Sequence, residues 1–506
     1  MNIHKIFILF LLLVGVFSSC QEKEFRIPIT LESFADMADV KYRVDADLLN
    51  ESLRHVVLAD TDRETPDIQA RRHYLDGGQL VWVTRNGISS KADTLLTYLA
   101  TVDSIGFSSE KFCYSSLSSD LQRARDLDFD SDKNSRNNIN KVYARLEYRL
   151  TKAFLRYVEG MRFGFVNPYD AFNRLDVRDS SGVYTSYRSL YDVPTKRPDA
   201  KFVSEAFAVM AGNDKAVGTF LAASRPENPL YQLLEKLKAG GLGKAMKIKI
   251  LCNMERCRWR QYDNPWQHEK YVVVNIPSFH LMAIDHQDTL SMRIGCGASK
   301  TKTPILNSHI KRMELNPQWF VPRSIVLHDM IHRVGNHGYF RARNYYVREV
   351  ATGKEVDLDR VTRSMLISGA YGIAQRGGKG NALGRIIFRF DNNFSVFLHD
   401  TNSKGVFGQE DRGVSHGCIR IEKPYDFAVF LLADKNEKLK EKIYYSMTAD
   451  SLANKKLVVN NVKVNPQVPL FITYYTLYPL AGGRIAEYSD VYGFDAVIFD
   501  MLRKYL

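Results

Sequence analysis

Cysteine is scarce: 506 residues contain six, Cys20, Cys113, Cys252, Cys257, Cys296 and Cys418. So few over so long a chain exclude a disulfide scaffold. Cys252 and Cys257 enclose Asn-Met-Glu-Arg with no second ligand pair. That speaks against zinc and leaves both as small, partly buried strand residues. A fixed-period repeat is also missing, which excludes a solenoid. No recognisable nucleic-acid module is present. The net charge of +13 is therefore read either as a basic solvated surface that needs no partner or as attraction to an anionic membrane or cell wall, with no nucleic-acid partner. Against these absences stands an ordinary globular composition, 45% hydrophobic and 25% charged. It is enough to build a core in each of several units of roughly 100–200 residues.

The N-terminus sets the expected compartment. Lys5 precedes an apolar run from Ile6 to Phe17, followed by Ser18, Ser19 and Cys20. A membrane-spanning helix needs about 20 apolar residues. The run is short for one, and residues 1–19 have the form of a secretory signal peptide. The small residues before Cys20 resemble a bacterial lipobox, which makes Cys20 the lipidated first residue of a mature protein and Gln21 to Glu24 its tether. The expected location is the cell envelope, in the periplasm, with a lipid anchor in a membrane.

The fold class expected is α+β. Residues 20–245 read as a helical scaffold, because Ala92–Leu99, Val142–Leu150 and Tyr231–Leu237 place apolar residues at helical spacing. Asp128 to Asn138 reads as an exposed loop. From 246 the pattern turns to strands. Lys247-Ile248-Lys249-Ile250 alternates, Tyr271–Ile276 is a buried-strand run, and Phe279–Ile284 and Leu290–Ile294 flank a turn at His286-Gln287-Asp288. Arg385–Phe390 and Phe394–His399 form a hairpin across Asp391-Asn392-Asn393. Phe471–Tyr478 and Arg484–Tyr488 form another around Gly482-Gly483. The divisions drawn are a β-rich domain over 246–445 and C-terminal strands and a helix over 446–506.

A catalytic thiol needs a base, access to substrate and donors for an oxyanion. Cys418, in Ser415-His416-Gly417-Cys418-Ile419-Arg420, is the candidate. Gly417 permits a tight turn. Two bases are available: His416, two positions away, and His399, at the end of an upstream strand. Backbone N–H groups near Gly417 and Cys418 are candidate oxyanion donors. Arg420 would share a strand face with Cys418 and suits a substrate carboxylate.

Leu398-His399-Asp400-Thr401 together with Ser415 to Arg420 resembles the signature of bacterial L,D-transpeptidases. Asn253 to Trp259, Val274 to Pro277, Thr303-Pro304, Asn316 to Trp319, Gln375 and Asn381 to Arg385 resemble the large Gram-negative branch of that family. The resemblance implies an N-terminal scaffold, a β-rich catalytic fold, and a cap inserted over 325–376. It implies no cofactor and no metal. Cys418 is then the nucleophile and His399 the base, oriented by the Asp400 carbonyl. Ser415 organises the turn, His416 supports or positions, and Arg420 serves site structure or a substrate carboxylate. Phe397 stands where this branch often has Tyr. The branch often has a peptidoglycan-binding domain before the catalytic part; here Gly240-Gly241 runs almost directly into Lys247, so wall affinity is expected from scaffold and charge.

The implied partners are peptidoglycan stem peptides, a donor tetrapeptide and an acceptor stem. The implied chemistry is a Cys thioester, release of D-Ala and a direct diaminopimelate–diaminopimelate crosslink. Carbapenem acylation of the thiol is implied as well. The alternatives are an L,D-carboxypeptidase or D-amino-acid exchange enzyme, and a non-catalytic wall-binding lipoprotein. Two decoys remain. His328-Asp329-Met330-Ile331-His332 imitates a zinc-protease helix but has Asp where the Glu base belongs, and Gly377 to Gly380 lacks a P-loop's spacing.

Overall fold

The computed structural model describes residues 39–177, 187–238, 240–433, 436–449, 452–480 and 483–506. The expected signal peptide and Cys20 lie outside them, as does Gly482. Among the described residues, no helix is long and apolar enough to cross a membrane.

The N-terminal region is helical and the C-terminal region β-rich. The first is organised around one long helix, α1 (Ile139–Phe163). Asn138 caps its start by accepting from the Asn140 N–H, and Gly164, at φ +93°, ends it. Nearly every residue of α1 is buried, because helices pack on several of its sides. Ala46–Ala59, Thr65–Leu75 and Tyr114–Arg125 are among them. Full burial of a long helix forces its charged residues to find partners inside. Glu147 accepts from the N–H groups of Val81 (2.6 Å), Trp82 (3.0 Å) and Val83 (2.8 Å) and from the Tyr74 hydroxyl (2.8 Å). Arg156 forms a two-pronged pair with Asp67.

The strand expected at Lys247–Ile250 is instead the start of a helix, α2 (Lys244–Arg258). Four alternating residues are too few to separate the two periods. The longer spacing of buried Ile250, Met254 and Cys257 is helical. Cys252 and Cys257 are thus buried helix residues rather than strand residues. The helix joins the scaffold to the rest of the chain. Glu255 accepts from Val166 N–H at 2.7 Å, Arg256 pairs with Asp495 at 2.5 Å, and the Asn253 side chain accepts from Thr476 N–H at 3.0 Å.

Eight of the strands that follow build the main sheet: β1 (Lys270–Asn275), β2 (His280–Asp285), β3 (Asp288–Gly297), β4 (Ile305–Leu315), β5 (Ile386–Phe390), β6 (Leu398–His399), β7 (Ile419–Ile421) and β8 (Asn461–Thr473). Their pairing order is β5-β6-β7-β3-β2-β1-β8-β4, and β4 pairs back to β5, so the strands close into a ring. Closure leaves no open edge among them. The β5–β6 hairpin forms, but its second arm keeps strand geometry only at Leu398–His399. The C-terminal hairpin is shorter than expected, Leu477–Pro479 against Ile485–Glu487. Phe471–Thr473 belongs to the main sheet, and the chain leaves that sheet where Asn253 takes the N–H groups of Thr476 and Leu477. Helix α3 (Phe494–Leu502) closes the chain against α2.

One hydrophobic core runs through scaffold and ring. A second, separate core of Val321, Val326, Met330, Phe340, Val347, Val361, Leu366 and Ile373 belongs to an insertion between β4 and β5. Its four-stranded sheet is ordered Trp319–Phe320, Tyr371–Gln375, Tyr345–Glu349, Glu355–Val356. The stretch read as a cap, 325–376, lies in this unit. Its neck is held by Asn381, whose amide donates to Pro317 O (3.2 Å) on the way in and Arg376 O (2.9 Å) on the way out. Gly377 sits in the same neck, where a Cβ would strike Asn316 O.

Candidate active site

The motif loop between 413 and 418 is built by hydroxyl groups. Ser415 Oγ accepts from Gly417 N–H (3.0 Å) and donates to Cys418 O (2.6 Å), folding the chain back on itself. Gly417 takes φ +121°, which only glycine adopts without strain. Two threonines clamp the loop from the segment after β3. Thr303 Oγ1 donates to Gly417 O at 2.8 Å, and Thr301 Oγ1 to Ser415 O at 2.7 Å. Tyr492 supports that segment, donating to Gly297 O (2.7 Å) and accepting from Thr303 N–H (3.1 Å). Thr303 was legible as part of a motif, but its grip on Gly417 was not.

The sheet register then orders the side chains. His399 on β6 pairs with Arg420 on β7 and with Ile387 on β5. Ile419 N–H donates to Phe397 O at 3.0 Å, which sets Phe397 beside Cys418 one step earlier. Directly paired residues share a face, so Cys418, Arg420, Phe397 and His399 face the same side, with His399 diagonal to the thiol. The opposite face is core, with Phe388, Leu398 and Ile419 all fully buried. There Phe388 meets Phe427 edge-on, with ring centroids 4.8 Å apart.

His399 is buried, and its Nδ1 bonds to the Asp400 carbonyl oxygen. A carbonyl only accepts, so Nδ1 carries the proton and Nε2 is left with the lone pair. Burial, reinforced by the Arg420 cation, lowers the His399 pKa to about 4, against the pull of Asp400 and of the Leu383 backbone. Burial raises the Cys418 thiol to about 11, opposed by the Phe397 N–H and the charges of Arg389 and Arg420. The resting pair is therefore neutral imidazole and neutral thiol. Arg420 is itself pushed down by burial, and its Nε is a buried donor without a hydrogen-bond partner among the described residues.

The Asp400 carboxylate turns away from the imidazole. It accepts from Arg385 N–H at 2.8 Å and pairs with Lys404. His416 also points elsewhere: its Nε2 lies 3.4 Å from Asp329 Oδ2 of the insertion. The zinc-protease look-alike thus contributes a carboxylate to the motif loop. Of the candidate oxyanion donors, the Gly417 N–H is taken by Ser415, while the Cys418 N–H has no partner among the described residues.

A thiol, a tautomer-fixed imidazole and an unengaged N–H on one sheet face make a site for acyl transfer through sulfur. The family model for the L,D-transpeptidase catalytic domain matches residues 269–440, and the model for the Scaffold domain matches residues 69–237. A curated protein from Haemophilus influenzae, named as a candidate L,D-transpeptidase, is 27% identical over 249 residues, covering 46% of this chain and 48% of its own length. The chain thus spans about half the length of that relative. Similar solved structures include an L,D-transpeptidase from Mycobacterium smegmatis, with 15% identity, TM-score 0.20 and coverage of 40% of this chain and 58% of that one. Another is an L,D-transpeptidase from Mycobacterium tuberculosis, with 13% identity, TM-score 0.16 and coverage of 40% and 61%. The chain thus carries an L,D-transpeptidase catalytic domain over residues 269–440, with a Scaffold domain ahead of it over residues 69–237.

Proposed function

We propose that the protein is a peptidoglycan L,D-transpeptidase that joins two diaminopimelate residues through a thioester on Cys418. The observation that carries the reading is the His399 Nδ1 bond to Asp400 O, on the sheet face that presents Cys418. With Nδ1 protonated, Nε2 carries the lone pair a base needs. The Cys418 sulfur attacks the diaminopimelate carbonyl of a donor tetrapeptide as its proton passes to His399 Nε2. The carbon–nitrogen bond to terminal D-Ala breaks, and the departing amine takes that proton. The amine of an acceptor stem then attacks the thioester, gives its proton to His399, and frees the thiolate, which recovers it. The Cys418 N–H is the candidate donor to the tetrahedral oxyanion. Arg420, with its buried donor unmet, suits a substrate carboxylate. Lipidation of Cys20 would hold the enzyme at a membrane of the envelope. Lipid-precursor labelling that disappears in Cys20→Ala tests that part.

The decisive experiment incubates the full chain with purified tetrapeptide muropeptides and reads products by mass spectrometry. The expected result is crosslinked dimers that have lost D-Ala, absent from folded Cys418→Ala and His399→Ala. Tripeptide alone would make the enzyme an L,D-carboxypeptidase. Crosslinking by Cys418→Ala would end the reading.

A further inference from the structure

The register carries the row containing Cys418 across four more strands. Phe397 stands beside Cys418, and the next position along that row is Arg389 on β5, whose guanidinium lies 5.0 Å from the Phe397 ring centroid. Arg389 pairs with Arg312 on β4, and Arg312 with Lys463 on β8. Arg312 and Lys463 are exposed, and among the described residues neither has a hydrogen-bond or ion-pair partner. Glu314, one row along, holds Arg389 Nε at 3.1 Å and is the acidic group paired to this row. Like charges directly opposite on neighbouring strands destabilise a sheet. Three cations in one cross-strand row, on the face that ends at the nucleophile, are a cost that folding does not explain.

We propose that Lys463, Arg312 and Arg389 form a carboxylate-binding track that lays an anionic stem peptide across the sheet toward Cys418. The inference rests on the peptidoglycan reading above. Strands are about 4.8 Å apart, so along the curved outer face of the ring the path from Cys418 is roughly 10 Å to Arg389, roughly 15 Å to Arg312 and roughly 20 Å to Lys463. Four extended residues reach about 13 Å. Arg389 and Arg312, with their long side chains, therefore match the carboxylates of one stem, and Lys463 extends the track one strand beyond it. Phe397 completes the path, giving the substrate an apolar wall between the first guanidinium and the thiol. Its ring also meets His399, centroids 5.8 Å apart, so the wall and the base are in contact.

The test uses the full chain carrying Cys418→Ala, so that nothing turns over, and a synthetic stem tetrapeptide with its carboxylates either free or amidated. Dissociation constants are measured by calorimetry with and without Arg312→Gln plus Lys463→Gln. Both substitutions fall on exposed side chains. The expected result is about tenfold weaker binding of the free-acid peptide in the charge-removed protein, with the amidated peptide unchanged within about twofold. Equal affinity of the Cys418→Ala protein for the two peptides, no measurable binding of either, or an undiminished affinity after charge removal would overturn the track. Turnover by the unmodified enzyme separates the two readings. Charge-dependent binding without crosslink or hydrolysis would leave the track and remove the acyl-transfer function. Turnover with a KM indifferent to the row would do the reverse.

Discussion

Around α1, most buried charge is answered: Glu147 has four donors, and Arg156 faces a completely buried Asp67, while Glu159, whose carboxyl burial pushes up to about 8, keeps one oxygen without a hydrogen-bond partner among the described residues. Around Cys418 it is not. Arg420 Nε has no hydrogen-bond partner among the described residues, His399 is held far below its ordinary pKa, and the thiol is raised above its own. Both regions desolvate ionisable groups, which costs stability unless partners compensate. The scaffold compensates most of these groups locally, Glu159 being its exception. The catalytic face leaves the balance open, and an incoming carbonyl and carboxylate are what would complete it. Unmet electrostatics of this kind mark functional sites more often than structural ones.

The comparison breaks most sharply at Glu147. Glu147→Ala strands three backbone N–H groups in the scaffold interior, and denaturant melts are expected to show a loss of about 4 kcal/mol. The rate at which carbapenem labels Cys418 in the remaining folded protein should stay the same. A loss below about 1 kcal/mol would remove the claim that the scaffold depends on these pairs.

His399 supplies the next effect. Its folded pKa, about 4, lies below the ordinary value of 6.5. Between these values the unfolded chain binds the proton and the folded protein does not. The associated stability is fully present above about pH 6.5 and is lost as pH falls to about 4, a change on the order of 3 kcal/mol. Stability measured at pH 7 and pH 4.5 should converge in His399→Gln relative to the unmodified protein. An unchanged pH slope would show that the imidazole is not held neutral.

Thr303→Val is expected to cost about 1–2 kcal/mol, because the Gly297 N–H and Gly417 O both lose the hydroxyl. It should also slow carbapenem labelling of Cys418, read as adduct mass against time, since the motif loop is no longer clamped. The smallest effect belongs to Asp329→Asn. The His416–Asp329 contact is half-exposed on both sides, so stability should change by less than about 0.5 kcal/mol. A larger change in melts would mean that the insertion is fastened to the motif loop rather than resting near it.

Much of the catalytic half was legible because strands declare themselves every second residue and because Gly417 and Cys418 sit in one short run. His399 was legible at the end of a strand, but its diagonal placement to Cys418 comes from the register. What stayed hidden depends on partners distant in sequence. Arg312, Arg389 and Lys463 lie far apart along the chain, and only the register puts them in one row. Thr303 reaches Gly417 across more than a hundred residues, and no local pattern announces a hydroxyl-to-carbonyl bond. The start of α2 was misread because Lys-Ile-Lys-Ile satisfies both periods over one turn, and its burial against scaffold and C-terminus overrode the local alternation. His416 shows the opposite error to avoid. Nearness in sequence to the thiol suggests a base, yet its ring is directed at Asp329.

The insertion has a consequence for how the chain assembles. Leu315 at the end of β4 pairs directly with Ile386 at the start of β5, so residues 316–385 occupy the place of a hairpin turn. Closing so long a loop as loose chain costs about 4 kcal/mol in entropy. A segment with its own core and a pinned neck behaves differently: once collapsed, it delivers its two ends side by side. The insertion can thus act as a folded clasp that makes a distant strand pairing local, and the ring's closure at β4–β5 would then be won early rather than last.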